Sequence, residues 1–370
     1  MTTPTVDVRI VDGVADHIRP VAAEYGSRPA LVTDRTLAAT GMVTPVAHAL
    51  DDRVFVIDLG EPTSNQVGVL AAELAAAGID VAVAVGGGSV IDTTKLAARL
   101  VSEPDGLPAR LLSAAPFPDS VGAVVAVPTT AGSGAEVTRT AIVTHHGRKS
   151  WAWDERLRPE AAVLSAEMTA STPRPVALAA GLDAFSHALE AATGKRSFAA
   201  VRSLGFDAVA TVYRLLPEVV RNGGAGERLE LAAAAAAAGT AIDHCGTGIG
   251  HAVGHAVGSL VRVPHGLAVA LGLRAGLAWT LERAPEAFDG LAARLSPGAA
   301  TEDLPRLFEE FLDAVGFDDE LRRHAAPDLD ALVGEMGSEE HRPMRQNNAR
   351  PIGDGDVREV ARLALQGWGR

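Results

Sequence analysis

A single cysteine, Cys245, is the whole thiol content of this 370-residue chain, so no intrachain disulfide can form and the sequence fits a reducing compartment. Cys245 itself is expected to behave as a small buried hydrophobe. No apolar run approaches the roughly 20 residues that a bilayer span needs. The most apolar stretch, Leu231 to Ala238, is alanine-dominated, follows Glu230 and stops at Gly239. Basic charge is scarce as well: 33 Lys and Arg against 46 Asp and Glu leave a formal net charge of -13. That argues against nucleic acid or an anionic membrane as a partner, since both are gripped by clustered Lys and Arg. The N-terminal Met1-Thr2-Thr3-Pro4-Thr5 has neither a basic stretch nor an apolar core behind it, so no secretion signal is expected and the cytoplasm is the expected location. Internal repeats are missing too.

What is present fits two domains, each long enough to bury a core. Up to about residue 170, short β-branched runs alternate with amphipathic helical stretches. Leu31-Val32-Thr33, Val54 to Ile57, Val81 to Val85 and Ala123 to Val127 read as buried parallel strands, so this half is expected to be α/β. Beyond Pro173 the β-branched runs disappear and Ala, Leu, Glu and Arg take over with helical periodicity, so the second half is expected to be all-helical. Thr172-Pro173-Arg174-Pro175 supplies the boundary, because prolines interrupt a helix and stiffen the connection. The expected domains are therefore residues 1–173 and 174–370.

The helical half carries the chemistry-bearing constellation. Asp183 and His187 stand at i,i+4, as do His251 and His255, and His265 follows between Pro264 and Gly266. On helices, each pair would project both side chains from one face. Imidazoles with a carboxylate suit a divalent ion of the iron or zinc type, and the lack of a thiolate in either stretch points to a catalytic rather than a structural ion. Gly250, Gly254, Gly258 and Gly266 interleave the histidines. Since each glycine costs a helix interior about 1 kcal/mol against alanine, their density predicts close backbone approach or a special turn.

In the α/β half, Gly86-Gly87-Gly88-Ser89 follows one strand and precedes the helical stretch Val90 to Leu100. It is an arrangement in which backbone N–H groups and the helix dipole meet a phosphate. A second loop, Pro128-Thr129-Thr130-Ala131-Gly132-Ser133-Gly134, leaves another strand at the same sheet edge, and two such loops suggest a dinucleotide. Asp34, closing the first clear strand, would accept hydrogen bonds from an adenosine ribose and favour NAD over NADP, or else cap the next helix.

Taken in order, Gly86-Gly87-Gly88-Ser89-Val-Ile-Asp92-Thr-Thr-Lys95, Pro128-Thr129-Thr130-Ala-Gly-Ser133-Gly-Ala-Glu136-Val-Thr138, Gly181-Leu-Asp183-Ala-Phe-Ser-His187-Ala-Leu-Glu190 and His251-Ala-Val-Gly-His255 through Pro264-His265-Gly266 resemble the iron-containing (group III) alcohol dehydrogenases. The resemblance runs over nearly the whole chain, to Asn348-Ala349-Arg350-Pro351. It implies a Rossmann-like α/β N-terminal domain, an all-α C-terminal domain of the dehydroquinate synthase-like architecture, and a cleft holding NAD(P) and a divalent metal, Fe2+ with Zn2+ as the alternative.

Carried over by position, the metal ligands would be Asp183, His187, His251 and His265. The cofactor would lie on Asp34, Gly86, Gly87, Gly88, Ser89, Asp92, Thr129, Thr130, Ser133 and Thr138. His255 matches a histidine close to the metal that does not normally ligate it, and would relay a proton or contact substrate. The implied reaction passes hydride between nicotinamide C4 and the carbonyl carbon of a small aldehyde polarised by the metal. A homodimer is the simplest assembly implied.

The chain departs from the family pattern at several points. Ser133 and Ala135 stand where Thr and Ser are common. Val163-Leu164-Ser165-Ala166 stands in place of an Asp-Pro pair, and Ala349 in place of a proline; local turns are expected to change there. Lys149, in a loosely matching stretch, is read as a solvated turn lysine. Arg262, Arg342, Arg345 and Arg350 would either bring positive charge to the site or be surface charges, the latter being the ordinary fate of long charged side chains. The rival readings are a metal-independent reductase of the maleylacetate reductase kind, an NAD-using lyase of the dehydroquinate synthase kind, and a non-catalytic nucleotide or metal sensor.

Overall fold

The structure, a computed structural model, describes residues 6–58, 62–113, 115–118 and 122–368. The N-terminal pentapeptide on which the leader reading rests lies outside them. Contacts divide the chain into two compact units, Met1–Thr130 with Gly134–Thr172, and Ala131–Ser133 with Pro173–Arg370.

The first unit is built on a six-stranded sheet in the order β1-β8-β5-β4-β2-β3. Its strands are β1 (Asp7–Ile10), β2 (Pro29–Asp34), β3 (Val54–Ile57), β4 (Val81–Gly86), β5 (Ala123–Pro128) and β8 (Ala161–Leu164), and every pairing is parallel. The four expected strands are all present, with β2, β4 and β5 running on to Asp34, Gly86 and Pro128. β2, β4, β5 and β8 are buried along their whole length, which explains their unbroken apolar runs. Alternate residues feed two cores, one on each face. Ala30, Val32, Ala82 and Val124 pack with Val67, Leu70 and Leu96, while Leu31, Val83, Val125 and Val127 pack with Ile18, Val21 and Val46.

Four strands were not anticipated. β1 is an edge strand with Val8 and Ile10 exposed, and β8 occupies Val163 and Leu164, where only a changed turn was expected. β6 (Thr140–His145) and β7 (Arg148–Trp153) form a separate antiparallel hairpin. Lys149 therefore lies on a strand, opposite Thr144, and not in a turn.

The second unit is helical, as expected. Its principal helices are Arg174–Thr193, Ala199–Asn222, Ala225–Cys245, Ile249–Leu260, His265–Leu281, Leu304–Val315 and Val357–Trp368. Arg174–Thr193 starts after Pro173 and carries Pro175 in its first turn, where the missing N–H would have had no helical partner anyway. Phe185 on this helix stacks on Phe308 and Phe311, with ring centroids 5.3 and 5.0 Å away.

Gly250, Gly254 and Gly266 are sites of close approach, whereas a Cβ on Gly258 would meet nothing within 4 Å. A Cβ on Gly254 would stand 2.9 Å from the backbone N of Val269, and one on Gly266 would stand 1.8 Å from the carbonyl oxygen of Ala179. Helix His265–Leu281 therefore packs backbone to backbone against both Ile249–Leu260 and Arg174–Thr193. Cys245 is buried, as expected of a small hydrophobe. No helix among the described residues is long and apolar enough to cross a membrane.

Candidate functional site

Close packing of three helices brings Asp183, His187, His251 and His265 together. Asp183 Oδ1 lies 3.7 Å from His187 Nε2, 3.5 Å from His251 Nε2 and 3.6 Å from His265 Nε2. These separations are longer than a hydrogen bond. Asp183 Oδ1 and His251 Nε2 are both buried without a hydrogen-bond partner, which in a dry interior is costly unless something else occupies the gap. The spacing says what fits: tetrahedral donors about 2.1 Å from a metal stand about 3.4 Å apart. Asp183, His187 and His251 are buried and offer ligand atoms within 4.8 Å of one another. The His265 side chain is one-third exposed and forms the solvent side of the cluster. The residues present therefore fit a divalent ion of the borderline type served by imidazole and carboxylate.

Electrostatics favour the ionised form of the carboxylate at the centre of the cluster. Burial would push the Asp183 carboxyl up, yet the imidazoles of His187, His265 and His251 hold it well below the usual carboxylate range. Burial lowers His187. For His251 burial acts in the same direction but is outweighed by Glu190 and Asp183, which raise it to about 9.

Behind the ligand atoms stands Glu190, buried on the same helix face as Asp183 and His187. One of its oxygens accepts from the backbone N–H groups of Gly250 and His251. The other pairs with His251 Nδ1. Two consecutive asparagines complete the support. Asn347 Nδ2 donates to the carbonyls of Cys245 and Thr247, both at 2.9 Å, and its Oδ1 accepts from Arg196 N. Asn348 Oδ1 accepts from Ile249 N, and its Nδ2 donates to Thr280 Oγ1. Together they fix the turn from which helix Ile249–Leu260 departs.

In the α/β unit, the expected phosphate turn stands at the carboxyl ends of the strands. Gly86 pairs with Pro128 across β4 and β5, and Thr129 N donates to Gly86 O. From β2 the chain moves outward to β3, whereas from β4 it moves the other way to β5 and β8. The reversal falls between β2 and β4, where open α/β sheets bind their ligands. Gly87 precedes helix Gly88–Arg99, Gly87 and Gly88 are half-buried, and Ser89 is exposed.

These are the strand-edge surroundings and the helical metal-type cluster that the sequence motifs implied. The family model described as iron-containing alcohol dehydrogenase matches residues 5–166, and the model for that family's C-terminal part matches residues 177–360. The chain belongs to the iron-containing alcohol dehydrogenase family. It is 31% identical over 76% of its length to the NAD-dependent methanol dehydrogenase of Bacillus methanolicus, covering 76% of that protein. It is 31% identical to EutG of Escherichia coli, named as an alcohol dehydrogenase, over 65% of this chain and 63% of EutG. In fold it is similar to the crystal structure of sulfoacetaldehyde reductase from Bifidobacterium kashiwanohense in complex with NAD+, with a TM-score of 0.85, 24% identity and 97% of each chain covered. The match to EutG thus spans less than two thirds of that relative's own length.

Within this family member the expected site residues fall into three groups. Asp183, His187, His251 and His265 converge. His255, one turn on, sets its ring beside those of His265 and His341, at 5.2 and 6.2 Å between centroids. The residues expected on the cofactor divide further. Asp34 caps helix Arg35–Thr40, its Oδ1 accepting from Leu37 N at 2.9 Å. Asp92 is buried with both oxygens engaged, by Lys95 Nζ at 3.1 Å and Ile142 N at 2.9 Å. Thr138 is buried beside the same lysine. Thr129 is buried, Thr130 faces Gly87, and Ser133 counts with the helical unit.

Of the four arginines, Arg262 and Arg342 are exposed, but Arg345 is buried and paired with Asp354, which corrects its reading as a surface charge. Arg350 lies 3.4 Å above the Trp279 ring. Glu190 and Asn347 were not read as site residues. For Glu190 the signal was there, because Asp183, His187 and Glu190 follow i, i+4, i+7 on one helix face.

Proposed function

We propose that this chain is a metal-dependent, NAD(P)-linked alcohol dehydrogenase that interconverts a small aldehyde and its alcohol. The observation carrying this reading is the buried, unpartnered Asp183 Oδ1 placed 3.5 to 3.7 Å from three imidazole nitrogens. Asp183, His187, His251 and His265 would hold the ion, Fe2+ or alternatively Zn2+. When bound, the metal supplies Lewis-acid polarisation of a carbonyl oxygen and the nicotinamide supplies or accepts the hydride.

The protein's share is positioning. The turn Gly86 to Ser89, with Thr129, Thr130 and Ser133, receives the dinucleotide. Asp92 and Thr138 contribute from behind by holding Lys95, whose ammonium also reaches the carbonyls of Ala135 and Thr140 and so fixes the course of the threonine loop. Asp34 keeps Oδ2 for a ribose hydroxyl while Oδ1 caps its helix, which supports NAD over NADP. The Bacillus methanolicus relative is named as NAD-dependent. His255, half-buried beside His265, moves the proton of the substrate oxygen toward solvent. In this reading residues 1–173 serve the cofactor and 174–370 the metal and substrate, and the enzyme works in the cytoplasm as a homodimer.

The test is oxidation of NADH and NADPH with a panel of short aldehydes, using protein stripped of metal and then reconstituted with Fe2+ or Zn2+. Activity that returns only with metal and favours NADH is the expected result. Full activity in the stripped protein would move the chain to the metal-independent reductases, and no turnover in any state would reject the oxidoreductase reading.

A further inference from the structure

Helix Ile249–Leu260 begins without a capping side chain of its own: Gly248 occupies the N-cap position. Its first N–H groups are nevertheless met. Ile249 N is taken by Asn348 Oδ1, and Gly250 N and His251 N by one oxygen of Glu190. The second oxygen of the same carboxylate meets His251 Nδ1. Glu190 is buried, so its charge is balanced by the helix N-terminus and the imidazole it faces.

The geometry assigns Glu190 as a positioning residue that fixes both the first turn of this helix and the tautomer of His251. A carboxylate has no proton to give, so in the neutral ring the hydrogen must sit on His251 Nδ1 and the lone pair on Nε2, the atom that points at Asp183 Oδ1. The two oxygens do two separate tasks, and a carboxamide can do only one of them. Glutamine has a single acceptor oxygen. If that oxygen caps the helix, its NH2 confronts His251 Nδ1 and drives the proton to Nε2, where it blocks ligation. If it serves His251, the NH2 confronts the N–H groups of Gly250 and His251. The inference rests on the metal reading above for its consequence, not for its geometry. Partners of this kind behind a ligating histidine typically tune metal affinity by about 10- to 100-fold.

The experiment compares the full-length protein with Glu190→Gln, Glu190→Asp and Glu190→Ala. Zn2+ affinity is measured by chelator competition. The tautomer of His251 is read from proton–nitrogen correlation spectra of the metal-free proteins in strongly alkaline buffer, where the ring is neutral. Glu190→Gln is expected to weaken Zn2+ binding by about 10- to 100-fold and to move the ring proton from Nδ1 toward Nε2, while Glu190→Asp restores part of both. Zn2+ binding by Glu190→Gln equal to that of the unmodified protein, with the ring proton still on Nδ1, would overturn the assignment. Should the unmodified protein bind neither Zn2+ nor Fe2+, the metal reading fails, and the tautomer in Glu190→Gln still decides the role of Glu190. If Glu190→Ala does not fold, the glutamine and aspartate variants carry the test.

Discussion

Each unit of this protein buries a cluster of ionisable side chains, and the two clusters are completed differently. In the α/β unit, Lys95 is wholly buried, yet its ammonium meets Asp92, Thr138 Oγ1 and the carbonyls of Ala135 and Thr140. Both oxygens of Asp92 are engaged. In the helical unit, Asp183 Oδ1 and His251 Nε2 have no hydrogen-bond partner. A buried polar cluster that satisfies itself holds a fold together; one left incomplete is built for something else. Asp92 and Asp183 look alike in the sequence, each at the centre of a family motif. Only the second leaves a donor direction open.

The sharpest way to break this contrast is Asp183→Ala. With the metal contributing several kcal/mol to the reaction, kcat/KM should fall by about a thousandfold or more, and chelator competition should show loss of Fe2+ or Zn2+ binding. The metal-free variant should unfold in urea no more easily than the metal-free parent. If activity survives, the helical cluster is structural after all. Lys95→Met should do the reverse. Removing one partner of a buried pair costs about 3 to 5 kcal/mol, visible as a lower urea midpoint, while Zn2+ affinity stays as it was.

Glu136 sharpens the comparison through pH. Burial raises its carboxyl from the ordinary 4.5 to about 7, with Lys95 opposing and Asp92 assisting that rise. Between those values the folded protein holds a proton that the unfolded chain has released. Stability is therefore full below about pH 4.5 on this account, falls as the pH climbs, and stays reduced above about 7. The loss amounts to at most about 3 kcal/mol, and Glu136→Gln should remove that component of the urea-midpoint profile. The smallest effect belongs to the exposed pair Arg35 and Asp58. Arg35→Ala should change stability by less than about 0.5 kcal/mol; a larger loss would mean that ion pairs on the surface of the α/β unit matter as much as those inside.

The parallel sheet and the two glycine-bearing turns at its strand ends were legible because fully buried strands write continuous β-branched runs and their ends write glycine. The hairpin of β6 and β7 was not. Its strands hold apolar runs of only three residues, Ala141 to Val143 and Trp151 to Trp153, among Thr, His, Arg, Lys and Ser, and His145-His146-Gly147 reads as loose turn until the pairing of Thr144 with Lys149 is seen. The ligand cluster was legible in part. Helical spacing brings Asp183 and His187 to one face, yet the same rule promotes His255 equally with His251, and the family motif was needed to separate them. Asn347 was not legible at all, because its side chain answers carbonyls 100 and 102 residues away and such distances leave no local pattern.

That separation also bears on how the chain is made. The helix carrying His251 takes its first hydrogen-bond acceptor from Asn348, 99 residues beyond Ile249. Synthesis proceeds at about 5 to 20 residues per second, so a nascent chain spends seconds with its three histidines already made and their supporting turn not yet tied. During that interval the nascent chain has the residues proposed to hold the metal, and Glu190 behind them, without the acceptor that Asn348 gives to Ile249 N.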